Sequence, residues 1–421
     1  LNSDNNSSID GGNGLNLRWN IGVSNGDKPL VINNNQFIGG DAGSSINYSD
    51  ASANGGAGLF AHGGQSIIIS NGIFRGGSGG TISANTINSA SASGGAGAYI
   101  FFSGDGSAFG QPSSEVTILG GSFYGGQAGT IDGVVEKDGY GLVLESSIST
   151  LSGGVEVYGR GLFVNSGPIA NNTLIEGGTY SAITFTSLTN NIYPGLGVKR
   201  GAFDLTGGDI GNIYIQGLLG QSGTMTGGTA SNIIFSGAGD HDLALGGTVA
   251  ISGFQNSGLG TAVLSLSNSV SVSGTHQFDG GTTDVNLWND DHFTDTMVSG
   301  GVLNFNNQDF NLIDGAVMRL TSADAVVNFK GTNTAVKSGA QLDLGAGRTT
   351  ANALTVESGG SVRSTVYGSN GIVSVGSLWL LVICLILTAL SQVSCNNESL
   401  RCLCFEQTKT RQGFYHRMTS F

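Results

Sequence analysis

GGAGLFAHGGQSIIISNGIFRGG, residues 55–77, contains three short apolar or β-branched runs separated by glycine and polar pairs. The runs cover Gly58–Ala61, Ser66–Ser70 and Gly72–Arg75. Such runs predict β-strands, and the glycine pairs predict tight corners between them. Residues 79–93, which follow, are small and polar and lead to another GGAG, so we interpret them as a variable loop. These segments predict a repeating unit of three strands and a loop.

The same unit recurs through the first 200 residues. Its second half appears as VINNNQFIGG (31–40), IIISNGIFRGG (67–77), VTILGGSFYGG (116–126) and NTLIEGGTY (172–180), which aligns Phe37, Phe74, Phe123 and Tyr180. Its first half appears as GGAGLF (55–60), GGAGAYIF (94–101) and GYGLVLE (139–145). From Gly201 onward, most glycine pairs recur about every 20 residues. This period predicts rungs stacked in a solenoid, because one coil of three strands needs roughly 20–25 residues.

The predicted fold class is all-β, a right-handed parallel β-helix (solenoid) followed by a single C-terminal transmembrane helix. An antiparallel sandwich or a propeller is the alternative, since propeller blades repeat at roughly 40–50 residues and so overlap the early spacings. The predicted domains are an N-terminal cap (1–24), a β-helix with long loops (25–200), a β-helix with tight rungs (201–366), a spacer (367–374), the transmembrane helix (375–393) and a cytoplasmic tail (394–421).

The transmembrane prediction rests on the apolar run Val375–Val393, which holds no charge. Nineteen helical residues would span about 28 Å, close to the thickness of a hydrocarbon core. Four basic and two acidic residues follow Cys395, whereas 12 basic and 27 acidic residues precede Thr365. Because basic residues favour the cytoplasmic side, we expect a single-pass cell-surface protein with its N-terminal body outside. A buried capping helix is the alternative.

Composition narrows the classes of function. The net charge of −13 argues against nucleic acid as a partner, because phosphate binding needs clustered Lys and Arg. The first 383 residues contain no cysteine, so the main body has neither disulfides nor thiol chemistry. We predict no cofactor, because no glycine-rich stretch is followed by the Lys-Ser/Thr pair of a phosphate-binding loop.

The GGAGLF and GGAGAYIF stretches, each followed by a β-branched strand and an aromatic turn, resemble right-handed parallel β-helix proteins of the pectin-lyase-like type. They are also similar to the GGA and F-x-x-N repeats of polymorphic outer-membrane adhesins. The F-x-x-N half is not kept, because Phe37, Phe74 and Phe123 are followed by IGG, RGG and YGG. The resemblance, over about residues 30–200, implies the fold and surface display, and no particular partner.

Carboxylates beside histidines are the candidate catalytic residues. Asp240 and Asp242 flank His241, and Asp290 and Asp291 precede His292. Such groups suit acid–base or metal chemistry, and neighbouring rungs can bring the two clusters together. The competing interpretation is structural, because Asp and His are common in turns. We predict no metal site.

Two kinds of modification site are candidates. The N-x-S/T pattern predicts glycosylation at Asn5, Asn6, Asn47 and Asn171. The cysteines beside the predicted helix, Cys395, Cys402 and Cys404, are candidates for palmitoylation.

The leading functional prediction is a membrane-anchored extracellular β-helix protein with a structural or adhesive role. Ordered rows of Asn, Ser and Thr would bind glycans or extracellular matrix. One alternative is a membrane-anchored polysaccharide lyase or hydrolase, which needs carboxylates that converge in one groove. A second is a self-assembling coat or appendage subunit that stacks end to end through unpaired strand edges.

Overall fold

A computed structural model describes most of the chain and divides it into two compact units, residues 1–273 (unit 1) and 274–421 (unit 2). The described residues are 6–18, 28–46, 50–63, 66–83, 89–101, 115–145, 148–165, 172–187, 201–287, 295–307, 309–363, 371–380, 392–395, 404–405 and 418–419. Throughout these ranges the regular structure is β-strand, and the prediction of an all-β fold is confirmed.

The strands of unit 1 are β1 (Asn6–Ser8), β2 (Leu15–Arg18), β3 (Leu30–Asn33), β4 (Gln36–Ile38), β5 (Ser45–Ile46), β6 (Asp50–Ser52), β7 (Leu59–His62), β8 (Ile67–Arg75), β9 (Thr81–Ser83), β10 (Ser89–Ser91), β11 (Ala98–Phe101), β12 (Glu115–Tyr124), β13 (Thr130–Ile131), β14 (Val134–Val135), β15 (Leu142–Glu145), β16 (Ile148–Tyr158), β17 (Leu162–Asn165), β18 (Asn172–Ile175), β19 (Thr179–Thr186), β20 (Gly201–Leu205), β21 (Asp209–Ile215), β22 (Gln221–Phe235), β23 (His241–Asn256), β24 (Thr261–Leu266) and β25 (Ser271–Val272). The two longest strands of unit 1, β22 and β23 with 15 and 16 residues, lie after Gly201.

Most strands of unit 2 are short. The strands of this unit are β26 (Thr275–Phe278), β27 (Thr282–Leu287), β28 (Asp295–Val298), β29 (Val302–Phe305), β30 (Asp309–Leu312), β31 (Val317–Leu320), β32 (Val326–Phe329), β33 (Asn333–Val336), β34 (Gln341–Asp343), β35 (Arg348–Val356), β36 (Ser361–Arg363), β37 (Ile372–Leu380), β38 (Gln392–Cys395), β39 (Cys404–Phe405) and β40 (Met418–Thr419).

Within each unit the described strand registers are parallel, apart from two short antiparallel pairs, β13–β14 and β39–β40. The antiparallel sandwich and the propeller are therefore wrong. Parallel, in-register pairing places like residues above like residues. The aligned aromatic positions confirm this, because Phe37, Phe74 and Phe123 lie in one column. Their rings stack at centroid distances of 5.7 and 4.8 Å. Tyr180 belongs to the same column two rungs on, beyond Val157.

Unit 1 also contains a side lobe where the sequence predicted a variable loop. Residues 79–93 include β9 and β10, which belong to two small sheets, β1–β6–β10 and β5–β9–β13–β14. The core of this lobe is formed by Ala51, Ala53, Ile82 and Ala92. Alanine and serine carry little β-propensity, so the composition indicated a loop, whereas pairing with neighbouring rungs makes these residues strands.

A line of backbone hydrogen bonds between glycines separates the side lobe from the main rungs. We call it the glycine seam; each N–H in it donates to the carbonyl of the preceding glycine at 2.7–2.9 Å. At most seam positions a side chain would overlap backbone atoms; a Cβ on Gly95 would lie 2.1 Å from the carbonyl oxygen of Gly56, whereas a Cβ on Gly12 would meet nothing within 4 Å. The seam consists of Gly12, Gly40, Gly56, Gly77, Gly95, Gly126 and Gly139.

Beyond Gly201 in unit 1, paired rungs lie 20 or 21 residues apart, as in Asp209 with Thr229 and Thr248 with Gly227. Side chains on consecutive rungs bond to each other at a separation of 20 residues, as in Asp209–Thr229 and Asn212–Asn232. Glycine closes the corner at Gly228, where φ is +94° and a Cβ would meet the carbonyl oxygen of Gly208 at 2.5 Å. No other residue adopts this conformation without strain.

In unit 2, a buried carboxylate joins three rungs. Asp343, whose side chain is fully buried, accepts contacts from the Nε atoms of Arg319 at 3.6 Å and Arg363 at 4.0 Å. Strands β31, β34 and β36 place the three residues in one column. The two arginine side chains remain about half exposed.

The predicted transmembrane helix at 375–393 is not supported. Residues 375–380 form the second half of β37, which pairs in parallel with β35, and 392–393 begin β38. Without β37, one edge of β35 would leave its N–H and C=O groups unpaired, so pairing with that edge favours a strand. Val373 and Val375 are buried, which continues the alternation of the preceding rungs. Residues 381–391 lie outside the described residues. Among the residues that are described, no helix is long and apolar enough to cross a membrane.

Candidate functional site

The outer side of β2, β7, β11, β15 and β17 carries the most varied side-chain chemistry of unit 1. These strands alternate between core positions such as Leu59 and Ala61, which are buried, and outward positions such as Phe60 and His62. Parallel pairing arranges the residues at these alternate positions in two columns, which we call the aromatic–acid face, although Phe101, Val143 and Asn165 in these columns are buried. The first column holds Asn16, Phe60, Tyr99, Val143 and Phe163, and the second holds Arg18, His62, Phe101, Glu145 and Asn165.

Stacked rings form the apolar part of the aromatic–acid face. Phe60 and Tyr99 are half-buried, and their centroids lie 5.5 Å apart with an interplanar angle of 16°. The exposed Arg18 lies 5.5 Å above the Phe60 ring. His62 stacks on Phe101 at 5.0 Å in the neighbouring column. Such offset stacks give a flat surface that can pack against another ring.

Glu145 is the acidic centre of the face. Its Oε2 accepts a hydrogen bond from the Tyr99 hydroxyl at 2.8 Å, and its Oε1 accepts one from the Asn165 amide at 3.4 Å. Burial raises the pKa of the Glu145 carboxyl, and the two hydrogen bonds offset only part of that rise. Burial, followed by the Glu145 charge and hydrogen bond, raises the pKa of Tyr99 far above its usual range. Tyr99 therefore remains a hydrogen-bond donor.

His62 presents a neutral imidazole to the same face. Burial and, second, the positive charge of Arg18 lower its pKa below the ordinary value. Its Nε2 is buried and has no hydrogen-bond partner among the described residues. A neutral histidine beside an arginine can accept a hydrogen bond from a ligand hydroxyl.

The residues that follow these strands differ in number from rung to rung. Four residues connect β7 to β8, 13 connect β11 to β12, and six connect β17 to β18. The carboxyl ends of neighbouring parallel strands meet at one edge of a sheet, so these connections leave from the same edge. Connecting segments on a constant scaffold are a frequent place for binding residues.

The carboxylates predicted as catalytic are partly described, and those that are described have structural partners. Asp240 Oδ1 accepts a hydrogen bond from the Thr261 amide at 2.8 Å, which links two rungs. Asp242 occupies a half-buried position in β23. Asp290, Asp291 and His292 lie outside the described residues, so convergence of the two clusters stays a prediction.

His241, between the two aspartates, is a core residue. It is 3% exposed, and its Nδ1 accepts a hydrogen bond from the Gln221 amide at 3.1 Å. Its Nε2 lies 3.2 Å from the Ser236 carbonyl oxygen, which fixes the tautomer with the proton on Nε2. Within the described ranges, no group of three or more His, Cys, Asp or Glu residues could hold a metal ion.

The modification sites stay predictions. Asn5, Asn47, Asn171 and Cys402 lie outside the described residues. The backbones of three others lie in strands, namely Asn6 in β1, Cys395 in β38 and Cys404 in β39.

The aromatic–acid face was not predicted, although its signal was present in the quoted repeats. Phe60, Tyr99 and Glu145 stand near the ends of GGAGLF, GGAGAYIF and GYGLVLE. Aligning these repeats on their last glycine places Phe60 and Tyr99 in one column and sets Glu145 two residues further along the strand. The cluster is not apparent in the sequence, because Tyr99 and Glu145 are 46 residues apart along the chain.

No protein-family model, curated protein or solved structure matches the chain.

Proposed function

We propose that this is a cell-surface protein with a structural and adhesive role, a right-handed β-solenoid that binds glycans through the aromatic–acid face. The observation that carries the proposal is the combination of half-buried stacked rings with hydrogen-bonding groups on one sheet. The C–H side of a sugar ring packs on Phe60 and Tyr99. The half-buried Glu145, which the buried Asn165 positions, then bonds its hydroxyls and fixes its orientation.

The rigid scaffold supports an adhesive role. Neighbouring rungs hold Tyr99 and Glu145 by in-register backbone pairing, so the face needs little ordering on binding. Adhesive contact with a polymer is favoured by columns that repeat along successive rungs, because successive sugars can engage successive rungs.

A glycan array probed with the full chain tests the proposal, followed by calorimetry on the best glycan. Tyr99→Phe and Glu145→Gln are each expected to weaken binding by about tenfold, because each removes a hydrogen bond from a partly buried network. Tyr214→Phe is the matched control, since its half-buried hydroxyl lies further along the chain, bonded to Asn212. Equal losses in Tyr99→Phe and Tyr214→Phe would refute the assignment of the face.

A carbohydrate-active enzyme is the second candidate, favoured by the raised pKa of Glu145. A carboxyl that stays protonated to higher pH can act as a general acid. Hydrolysis usually needs a second carboxylate, and in the two described columns Glu145 is the sole one. Release of reducing ends from the bound glycan, abolished by Glu145→Gln, would support this candidate.

End-to-end assembly is the third candidate, favoured by the open edge of the first rung. Within the described residues, β1, β2 and β3 each pair with one strand alone, β6, β7 and β8 respectively. Such edges can template pairing with another chain. Sedimentation velocity over a range of concentrations would show a single monomer boundary if this candidate is wrong.

A further inference from the structure

All arginines that the structure describes in unit 1 lie over an aromatic ring. Arg75 and Arg160 lie 4.1 Å above the rings of Tyr124 and Tyr140, and Arg18 lies above Phe60. No described carboxylate forms an ion pair with these arginines, whereas two arginines of unit 2 share Asp343. The chain has a net charge of −13, so arginines that contact aromatic rings and form no ion pair with a described carboxylate are unexpected in it.

The best-formed example lies on a face of unit 1 different from the aromatic–acid face. Strands β8, β12 and β16 place Arg75, Tyr124 and Tyr158 in one column, which we call the arginine–tyrosine stack. The two tyrosine rings are 5.0 Å apart with an interplanar angle of 13°. Arg75 is exposed and both rings are half-buried. The stack is therefore open to solvent along its length.

Apolar and acidic groups border the arginine–tyrosine stack. Ile38, in the column below Arg75, is 55% exposed, and Ile73, two residues before Arg75, is 39% exposed. Glu156 lies in the neighbouring column, where its Oε2 accepts a hydrogen bond from Ser122 at 2.8 Å. Positive charge is thus at one end of the stack and negative charge near the other, beside Tyr158. A bound anion is accordingly confined to the Arg75 end.

The chemistry of the stack indicates its ligand. A guanidinium that lies flat on a ring still presents its N–H edge, and that edge matches the two oxygens of a sulfate or carboxylate. The tyrosine rings beside it offer a flat apolar surface with hydroxyls at the rim. A ligand that uses both parts carries an oxyanion on a ring with one apolar side.

We propose that the arginine–tyrosine stack binds an oxyanion-bearing sugar, with its sulfate or carboxylate on Arg75 and its ring on the tyrosines. The proposal extends the proposed glycan-binding function to a second face and does not use Glu145 or Tyr99. Experiments can therefore refute the proposal for one face without refuting the proposal for the other. Glu156 accepts a hydrogen bond from a sugar hydroxyl at the far end of the stack.

Three polymers with one backbone test the proposal on the full chain by biolayer interferometry: dextran, carboxymethyl-dextran and dextran sulfate. We expect the charged polymers to bind and dextran to bind at least tenfold more weakly at this face, because only the former reach Arg75 with an anion. Comparison of carboxymethyl-dextran with dextran sulfate tells which oxyanion the site prefers. Binding of all three with equal affinity would overturn the role of the anion.

Variants separate the stack from general electrostatic attraction. Arg75→Gln should weaken binding of the preferred charged polymer by roughly five- to tenfold, since it removes one charge-assisted contact. Arg348→Gln is the control, because it removes the same charge from an exposed arginine of unit 2 that is not stacked on a described ring. Equal losses in the two variants would overturn the proposal. Circular dichroism confirms that each variant is folded.

The tyrosine platform needs its own test. Tyr158→Ala keeps Arg75 and its ring partner Tyr124, and should weaken binding of the charged polymer by about threefold or more through lost ring packing. Loss in Arg75→Gln with none in Tyr158→Ala would reduce the site to a simple anion contact and overturn the sugar assignment. Glu145→Gln should leave this binding unchanged. If the charged polymers bind through Arg75 while no glycan depends on Glu145, the stack stands and the aromatic–acid face falls.

Discussion

Replacing Gly95 of the glycine seam by alanine should destabilise unit 1, although the same change is favourable in an unconstrained loop. The new Cβ would lie 2.1 Å from the Gly56 carbonyl oxygen and 2.7 Å from that of Gly55. Ordinary contact needs more than 3 Å, so the backbone must move by about 1 Å. That movement strains the bonds from Gly95 N to Gly77 O and from Gly126 N to Gly95 O, both 2.8 Å long.

The magnitude follows from those two bonds. Each buried backbone bond left unmade costs about 1–3 kcal/mol, so we expect a loss of about 2–6 kcal/mol for the two bonds. The smaller entropy of the unfolded alanine chain offsets about 0.4–1 kcal/mol of this. The expected net loss is about 1–5.6 kcal/mol.

Gly12→Ala is the matched control, because Gly12 belongs to the same seam and a Cβ there would meet nothing within 4 Å. Its free energy of unfolding should stay equal or rise by up to about 1 kcal/mol. Urea unfolding followed by circular dichroism gives the stability of both variants. Hydrogen exchange of the amides of residue 95 and Gly126, which donate the two strained bonds, locates the damage. Equal stability of the two variants, or unchanged exchange in Gly95→Ala, would refute the steric argument.

Three further predictions concern single side chains. Phe123→Ala removes a fully buried ring from the column of Phe37, Phe74 and Phe123 and should lower the free energy of unfolding by about 3–5 kcal/mol in urea titrations, whereas a loss below about 1 kcal/mol would show that the column is loosely packed. Folding raises the pKa of Glu145, so the contribution of this carboxyl to the free energy of unfolding is full below its unfolded pKa and falls as pH rises through its folded pKa. Glu145→Gln should remove that part of the dependence of stability on pH, and superimposable stability profiles of the two proteins would contradict this. Asp343→Ala leaves two half-exposed arginines facing each other and should destabilise unit 2 by about 1–3 kcal/mol, with partial rescue by added salt, as measured by thermal unfolding at low and high salt.

Local patterns predicted the rungs because the information for them is local. An aromatic residue after a glycine or polar pair marks one position of most early units, and Phe37, Phe74 and Phe123 share a column as a result. Tyr180 lies in the same column, but Val157 occupies the position between Phe123 and Tyr180, so the rung of Val157 lacks the aromatic residue.

The remaining features depend on partners that are distant in sequence. The side lobe was interpreted as a loop because Ala53 and Ala92 do not signal strands by composition, and their burial follows from stacking across rungs. Residues 375–380 carry a helix-compatible apolar composition, yet the edge of β35 makes them a strand. The bond between Tyr99 and Glu145 likewise arises from register between rungs, which no single stretch of sequence reveals.

The glycine seam also bears on how such a chain can change length over evolutionary time. The seam ends where the Arg160 amide bonds to Gly139, and no side-lobe strand occurs among the described residues beyond β14. Up to that point the seam closes each main rung independently of what lies beyond it. Residues can thus be inserted into or deleted from the lobe without shifting the register of Phe74, Phe123 or their neighbours. Selection should therefore tolerate length variation on one side of the seam while it rejects substitution of those seam glycines, such as Gly95, whose Cβ would overlap backbone.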